Sequence, residues 1–466
     1  MGKDKNKKTP QSDPKQDNPP SSFFGRSTKI LGLAASIASK ELGSRISQGM
    51  EKDPNLKKLK QLNVQMEQAR RIVKDLTQLR GAAMKVGQLL TLEAQDFLPK
   101  EVSDILTSLY DKAIPARKEA VWKTLREDLG SKLEELDEIS QEPIAAASIG
   151  QVHEAKLENQ KLAIKIQYPE ISKTIDSDLK FLKRSVLSMS QFYKRKVDMS
   201  QMLDEVAEVV SQEVNYKKEA DFLKKYKAHF ESHPIFVVPE VFDFYSSHRV
   251  LTMSFEEGLS FDDWLKTNPS LKTRKQLGNR FIELYLKEFL ELGLVQTDPN
   301  YGNFKIDPLS NKTEPYRIIL LDFGSTRHFP DSFRRVYCEL FRRVTKGDYE
   351  SALQYSIEQG FIDSRESRSC FSVYDKMVRY LSEPFSKESF DFTNGEFMKE
   401  IRSLSRQFIQ KLEYTPPPRK LIFLHRKLAG VFFICRKLGV ALDLRPHAVA
   451  LLEYPAPNKS SRIHST

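Results

Sequence analysis

Three short patterns fall in one order along the chain and constrain it more than any bulk property. The run Leu162-Ala163-Ile164-Lys165 reads as a strand ending in an inward-facing lysine. Further on, Asp298-Pro299-Asn300-Tyr301-Gly302-Asn303 sets an aspartate ahead of an asparagine, and Leu320-Leu321-Asp322-Phe323-Gly324 follows. A buried ammonium suits nucleotide phosphates. An aspartate and an asparagine supply hard oxygen ligands for magnesium, and a second aspartate can orient or deprotonate a hydroxyl. Any one of these patterns arises by chance; the set, in order and on suitable elements, points to a magnesium–nucleotide site.

Upstream of the lysine strand lies Ala145-Ala146-Ala147-Ser148-Ile149-Gly150-Gln151-Val152. It overlays the glycine-rich phosphate loop of kinases, with alanine at the first two glycines and Gly150 retained. Alanine resists positive φ, so the phosphate cradle is expected to differ from an ordinary kinase's. A kinase lysine needs a carboxylate partner on the following helix. Glu213 and Glu219 are the candidates, and Glu219 is preferred because Ala220 and Leu223 beside it mark a buried helix edge. Gln296-Thr297 replaces the His-Arg of protein kinases, and from Gly324 the chain runs through Ser325-Thr326-Arg327-His328-Phe329-Pro330 with no activation segment or Ala-Pro-Glu motif. A large protein substrate is therefore disfavoured.

With 466 residues, 39% hydrophobic and 29% charged, the chain can build one large or two medium domains and is not wholly disordered. Its charge of +11 favours anionic partners without choosing among them. The basic residues are dispersed, and no nucleic-acid-binding motif accompanies them. Cys338, Cys370 and Cys435 are too far apart for a CxxC pair, which argues against a disulfide framework or zinc site. No uncharged apolar window approaches the roughly 18 to 20 residues of a spanning helix.

Periodicity divides the chain into segments. Residues 1–26 read as a disordered polar tail. Residues 27–115 read as helical; in Ser27 to Met50 a weakly apolar face meets Lys29, Lys40 and Arg45, which suits either a membrane surface or docking on the body of the protein. Gly81, Lys85 and Gln88 share one face of a later helix. Residues 116–258 read as a small sheet-bearing lobe, with strands at Ile149 to Leu157, Leu162 to Ile166, Val237 to Phe244 and Arg249 to Phe255. Residues 259–455 read as a helical lobe interrupted by two apolar runs from Phe304 to Asp322, and 456–466 as a second disordered tail.

These residues resemble the UbiB family of atypical kinase-like proteins, linked to ubiquinone (coenzyme Q) synthesis. The likeness spans roughly residues 27 to 440: Lys85-Val86-Gly87-Gln88, the alanine-rich stretch from Ala145 to His153, Gln296-Thr297-Asp298-Pro299-Asn300 with Asn303-Phe304, Leu321-Asp322-Phe323-Gly324, and Phe423-Leu424-His425-Arg426-Lys427. The resemblance implies an α+β, protein-kinase-like bilobal fold with an N-terminal helical extension carrying Lys85 and Gln88 over the nucleotide. It implies that ATP lies against Ala145, Ala146, Ala147, Ser148, Gly150 and Val152, with Lys165 on its phosphates and Glu219 paired to Lys165. Asp298 would be the catalytic aspartate, and Asn303 and Asp322 would hold Mg2+. The family's Glu-x-Asp signature is Glu213-Val214-Asn215 here; the amide removes a negative charge that would face the extension.

The leading functional reading is an atypical kinase or ATPase that uses Mg-ATP at a membrane surface to support coenzyme Q synthesis. Its partners would be lipid or quinone-precursor molecules and quinone-biosynthesis enzymes, and not nucleic acid. A small-molecule or lipid kinase and a nucleotide-switched, non-catalytic scaffold are the alternatives. Because Met1 to Pro20 lacks the arginine-rich, acid-poor character of a transit peptide, a bacterial cytoplasmic membrane face is preferred over the mitochondrial matrix.

Overall fold

The computed structural model describes residues 118–146, 149–168, 180, 208, 211–298, 300–309, 315–414 and 419–457. The tail and helical extension read at 1–115, with Lys85 and Gln88, lie outside these residues, as do Ala147, Ser148 and the tail from 458 onward.

The smaller lobe is an antiparallel sheet with a helix packed on one face. Helix α1 (Lys118–Leu129) brings Val121, Leu125 and Leu129 to the same side at four-residue steps. Strand β1 (Glu138–Ile139) and strand β2 (Ala145–Ala146) both pair with β3 (Gly150–Leu157). Next, β3 pairs with β4 (Gln160–Gln167) through a tight turn at Glu158, and β4 pairs with β6 (Val250–Ser254). Alternation along β4 divides its labour. Leu162, Ile164 and Ile166 join the α1 face in a core with Ala155, Tyr245 and Val250, while Lys165 and Gln167 occupy the opposite face. Each large apolar side chain buried there contributes about 1.5–3 kcal/mol. Helix α2 (Tyr216–Phe230) covers that second face, which is why every residue of β4 beyond Lys161 is buried.

The strand expected from Val237 to Phe244 does not form. Only β5 (Phe236–Val237) pairs, in parallel with a later strand, and the chain then makes a lone bridge at Val241 and a short 3-10 turn at Asp243–Tyr245. Pro239, which has no amide proton, interrupts the ladder.

In the larger lobe β7 (Leu259–Ser260) leads into α3 (Phe261–Lys266) and α4 (Leu271–Leu286). The last turn of this run, Lys287–Leu292, is a π turn closed by Gly293 at φ 66°. Strand β8 (Leu294–Gln296) follows, then the 3-10 turn Tyr301–Asn303 and the hairpin of β9 (Phe304–Pro308) with β10 (Tyr316–Leu320). Strand β11 (Thr326–His328) returns antiparallel to β8, so Thr326 lies opposite Gln296. The rest is helical: α5 (Asp331–Thr345), α6 (Tyr349–Glu358), α7 (Arg368–Ser386), α8 (Gly395–Lys411), α9 (Arg419–Leu438) and α10 (Arg445–Glu453), with one two-stranded ribbon between Phe390–Asp391 and Ala441–Leu442. Helices α5 to α8 share a separate apolar core that includes Val344, Ile362, Tyr374, Leu404 and Phe408. The α+β, kinase-like bilobal arrangement expected from the sequence is what the chain adopts.

Candidate functional site

The two lobes meet around Lys165. Register places it opposite Val152 on β3 and Leu251 on β6, in the middle of the sheet and on the face turned to α2. Its Nζ donates to both carboxylate oxygens of Glu219, at 2.7 and 2.9 Å. Asp322 Oδ2 lies 3.8 Å away. The side chains of Lys165 and Glu219 are 10% and 1% exposed, whereas that of Asp322 is 37% exposed, so the cluster opens to solvent on the aspartate side. Burial opposes the lysine's charge, yet Asp322 and Glu219 outweigh it and hold its pKa above the usual range. Burial also raises Glu219, to about 7, with Lys165 pulling against the rise and Asp322 adding to it. The two shifts differ in their balance: for Glu219 burial is the largest effect, whereas for Lys165 the nearby carboxylates together prevail over burial.

Of the two candidate glutamates, Glu219 meets the lysine and Glu213 turns elsewhere. Glu213 accepts from the Ser325 hydroxyl at 3.0 Å, just past Asp322-Phe323-Gly324. Asn215 is exposed and serves as the N-cap of α2, its Oδ1 accepting from the Lys218 amide at 3.1 Å. Asparagine and aspartate cap helices about equally well, which accounts locally for the amide in this signature.

Above the cluster, Ala145 and Ala146 run extended against Val152 and Gln151, a conformation that asks for no positive φ. Among the described residues of the loop, Gly150 has no room for a side chain. A Cβ there would lie 2.4 Å from the Ile166 carbonyl oxygen and 2.7 Å from the Tyr216 hydroxyl. Val152 lies opposite Lys165. Beside it, His153 Nδ1 contacts the Ser140 carbonyl at 2.8 Å and its Nε2 contacts the Gln151 amide nitrogen at 2.7 Å. The carbonyl can only accept and the amide nitrogen can only donate, so the partners assign the Nδ1–H neutral tautomer.

Below, Asp298 and Asn303 bracket a turn closed by the Gly302 amide on Asn300 Oδ1 at 2.9 Å. Asn303 Nδ2 donates to Asp298 Oδ2 at 3.1 Å, which leaves the Asn303 amide oxygen as an acceptor. The Leu321 amide donates to the Asn303 carbonyl at 3.0 Å, tying Asn303 to the strand that delivers Asp322. Asp322 Oδ1 accepts from the Gly324 amide at 2.9 Å. An amide oxygen and a part-exposed carboxylate are the hard, small donors that magnesium takes alongside water and phosphate oxygens, so these residues fit that ion. Among the described residues no cluster of three or more His, Cys, Asp or Glu side chains forms a self-sufficient metal cage.

Sequence reading missed several residues that the fold brings in. Thr297 bonds through both its amide and its hydroxyl to the Ser325 carbonyl, at 3.1 and 2.8 Å, and Gln296 pairs with Thr326, so the Gln-Thr pair ties the turn from Asp298 to Asn303 to β11. Arg426 on α9 comes within 4.0 Å of Asp298 Oδ1. Next to it, Lys427 forms a buried ion pair with Glu288 at 2.9 Å. The available signal was the charged pair Arg426-Lys427 in the middle of α9, between the apolar runs 421–424 and 428–435, and a glutamate followed by Phe289 and Leu290.

Residues 108–356 match the ABC1 atypical kinase-like domain. The chain belongs to that family. It is 35% identical over 421 residues to the Danio rerio protein named atypical kinase COQ8B, mitochondrial, covering 89% of this chain and 65% of the relative. It is 32% identical over 381 residues to the Saccharomyces cerevisiae protein named atypical kinase COQ8, mitochondrial, covering 80% of this chain and 74% of the relative. The chain thus spans just under two thirds of the zebrafish relative. Among solved structures, the Mycobacterium tuberculosis protein Rv3197, determined in complex with erythromycin, aligns with a TM-score of 0.57 and 26% identity over 86% of this chain and 99% of that one. An ABC1-type kinase-like fold with the Lys165–Glu219 pair assembled is the frame for any activity. No helix among the described residues is long and apolar enough to cross a membrane.

Proposed function

We propose that this ABC1-family chain binds Mg-ATP between the Gly150 loop, Lys165 and the Asp298–Asp322 region, and hydrolyses it or transfers its terminal phosphoryl group in support of coenzyme Q synthesis. The observation that carries this reading is the geometry of the Lys165 cluster. A lysine held by Glu219 at 2.7 Å has the part-exposed Asp322 carboxylate at 3.8 Å, which sets a phosphate-binding cation beside an oxygen donor that would hold a divalent ion.

In this reading Lys165 binds phosphate oxygens and Glu219 fixes its direction. Asn303 and Asp322 would hold the magnesium ion, which supplies charge neutralisation at the phosphates when bound. Asp298, its Oδ2 fixed by Asn303, orients the attacking hydroxyl or water. The acceptor is a small molecule, of the lipid or quinone-precursor class, because only Ser325 to Pro330 separates Gly324 from α5 and no peptide platform intervenes. The relatives' names are mitochondrial, which moves the preferred setting from a bacterial membrane to the mitochondrial matrix, at a membrane surface.

The test is the thermal midpoint with and without Mg-ATP in the wild type and in Asp322→Asn. A ligand at one hundred times its Kd stabilises the fold by about 2.7 kcal/mol, and the variant should lose most of that. Equal shifts in both proteins, or none in either at millimolar nucleotide, would remove the proposal. With binding established, labelled phosphate on an extracted lipid that disappears in Asp298→Asn selects transfer. Labelled free phosphate selects hydrolysis, and binding without turnover selects the scaffold.

A further inference from the structure

Helix α2 is held at two points, only one of which belongs to the nucleotide site. Glu219 and Tyr226 are seven positions apart, two turns and about 10 Å along the same side of the helix, with buried Leu223 between them. Glu219 reaches up to the sheet through Lys165. Tyr226, fully buried, reaches down: its hydroxyl is placed to donate to Glu288 Oε1 at 3.0 Å or to the Leu294 carbonyl at 3.0 Å. Glu288 lies in the π turn that ends α4, and its other oxygen is 2.9 Å from Lys427 Nζ on α9. The Glu288 and Lys427 side chains are 2% and 5% exposed. Finally, the Tyr226 ring packs edge-on against Phe323, the residue between Asp322 and Gly324, with centroids 4.7 Å apart.

We propose that Tyr226, Glu288 and Lys427 form a buried clasp that fixes α2 on the larger lobe, making Tyr226 a positioning residue for both Glu219 and Asp322. Two arguments support it. In protein kinases the helix that carries the lysine's glutamate is brought into place by the activation segment, which this chain lacks; the clasp holds it instead. Moving α2 outward would take the Tyr226 hydroxyl from Glu288 and leave a buried charged pair without its third partner, which low local polarity makes costly. The π turn aims Glu288, consistent with the frequent use of such turns where a side chain must be directed at a functional site.

The test compares Tyr226→Phe with the combined variant Glu288→Gln, Lys427→Met in the full chain, by hydrogen exchange. Tyr226→Phe keeps the ring on Phe323 and removes only the hydroxyl. Exchange should rise about fivefold in 216–230 and 320–328 and stay unchanged in α7 and α8, whose core is separate. The combined variant discards both charges but retains an amide oxygen to accept from Tyr226, so its α2 exchange should stay within about twofold of wild type. Unchanged exchange in Tyr226→Phe, or a rise spread equally through α7 and α8, would overturn the clasp. A second readout rests on the nucleotide reading above: kcat for Mg-ATP turnover should fall about fivefold at constant KM. A wild type without turnover would defeat that reading alone, and exchange would still decide the clasp.

Discussion

Two buried lysine–glutamate pairs, one in each lobe, meet helix α2, and they differ in what surrounds them. Lys165–Glu219 has Asp322 as a third, acidic neighbour with its side chain partly open to solvent. Lys427–Glu288 has a neutral phenol, Tyr226, as its third neighbour, and is sealed. The first pair has a second carboxylate at an open edge, where in the proposed reading a metal-bound nucleotide would sit. The second is balanced and closed, so it can only hold structure. Two interactions with the same chemistry are thus separated into site and scaffold by the third group.

Removing one partner sharpens that contrast most in the sealed pair. Lys427→Met strands Glu288, whose carboxyl burial already raises, and should cost about 3–5 kcal/mol in urea unfolding. Adding Glu288→Gln to it should recover most of that loss, whereas no neutral substitution at Glu219 should restore nucleotide stabilisation to Lys165→Met. Next in size is Gly150→Ala, where the added methyl meets backbone and should cost about 1–3 kcal/mol and weaken the Mg-ATP thermal shift.

A smaller effect comes from the ion pair of Asp128 with Arg249 in the smaller lobe. Burial works against the Asp128 carboxylate, but hydrogen bonds from Arg249 and Ser247 and the Arg249 charge hold its pKa below the usual 3.8. The folded value lies below the unfolded one, so this contribution is complete above about pH 4 and is lost as the pH falls further. Asp128→Asn should flatten the acid limb of a stability-against-pH curve, and an unchanged limb would exclude the pair as a source of acid sensitivity. The least effect is expected from Asn215→Asp: one N-cap replaces another, and the midpoint should move by less than about 0.5 kcal/mol.

The strand lysine, Gly150, the turn from Asp298 to Asn303 and Asp322 were legible because each is a local pattern whose residues adjoin in sequence. The choice of Glu219 over Glu213 was legible from the apolar residues beside it. Tyr226, Glu288 and Lys427 were not. They meet only when α2, the end of α4 and α9 are packed together, and no short spacing records that. Pairings as short as β8 with β11 were invisible for the same reason, and Pro239 overrode an otherwise strand-like run.

A π turn holds one residue more than the α turn it replaces, and that count has a consequence for the chain as a written string. Deleting one residue between Lys287 and Leu292 would let the helix close as an ordinary α turn with the following chain kept nearly in phase, so the loss would fall on the side chains inside the turn, shifted by about 100° around the helix. Length is therefore part of what aims Glu288: deleting Lys287 should turn Glu288 away from Tyr226 and Lys427 while the strand that leads to Asp298 keeps its place, and many side-chain exchanges at the exposed position Glu291 should pass unnoticed.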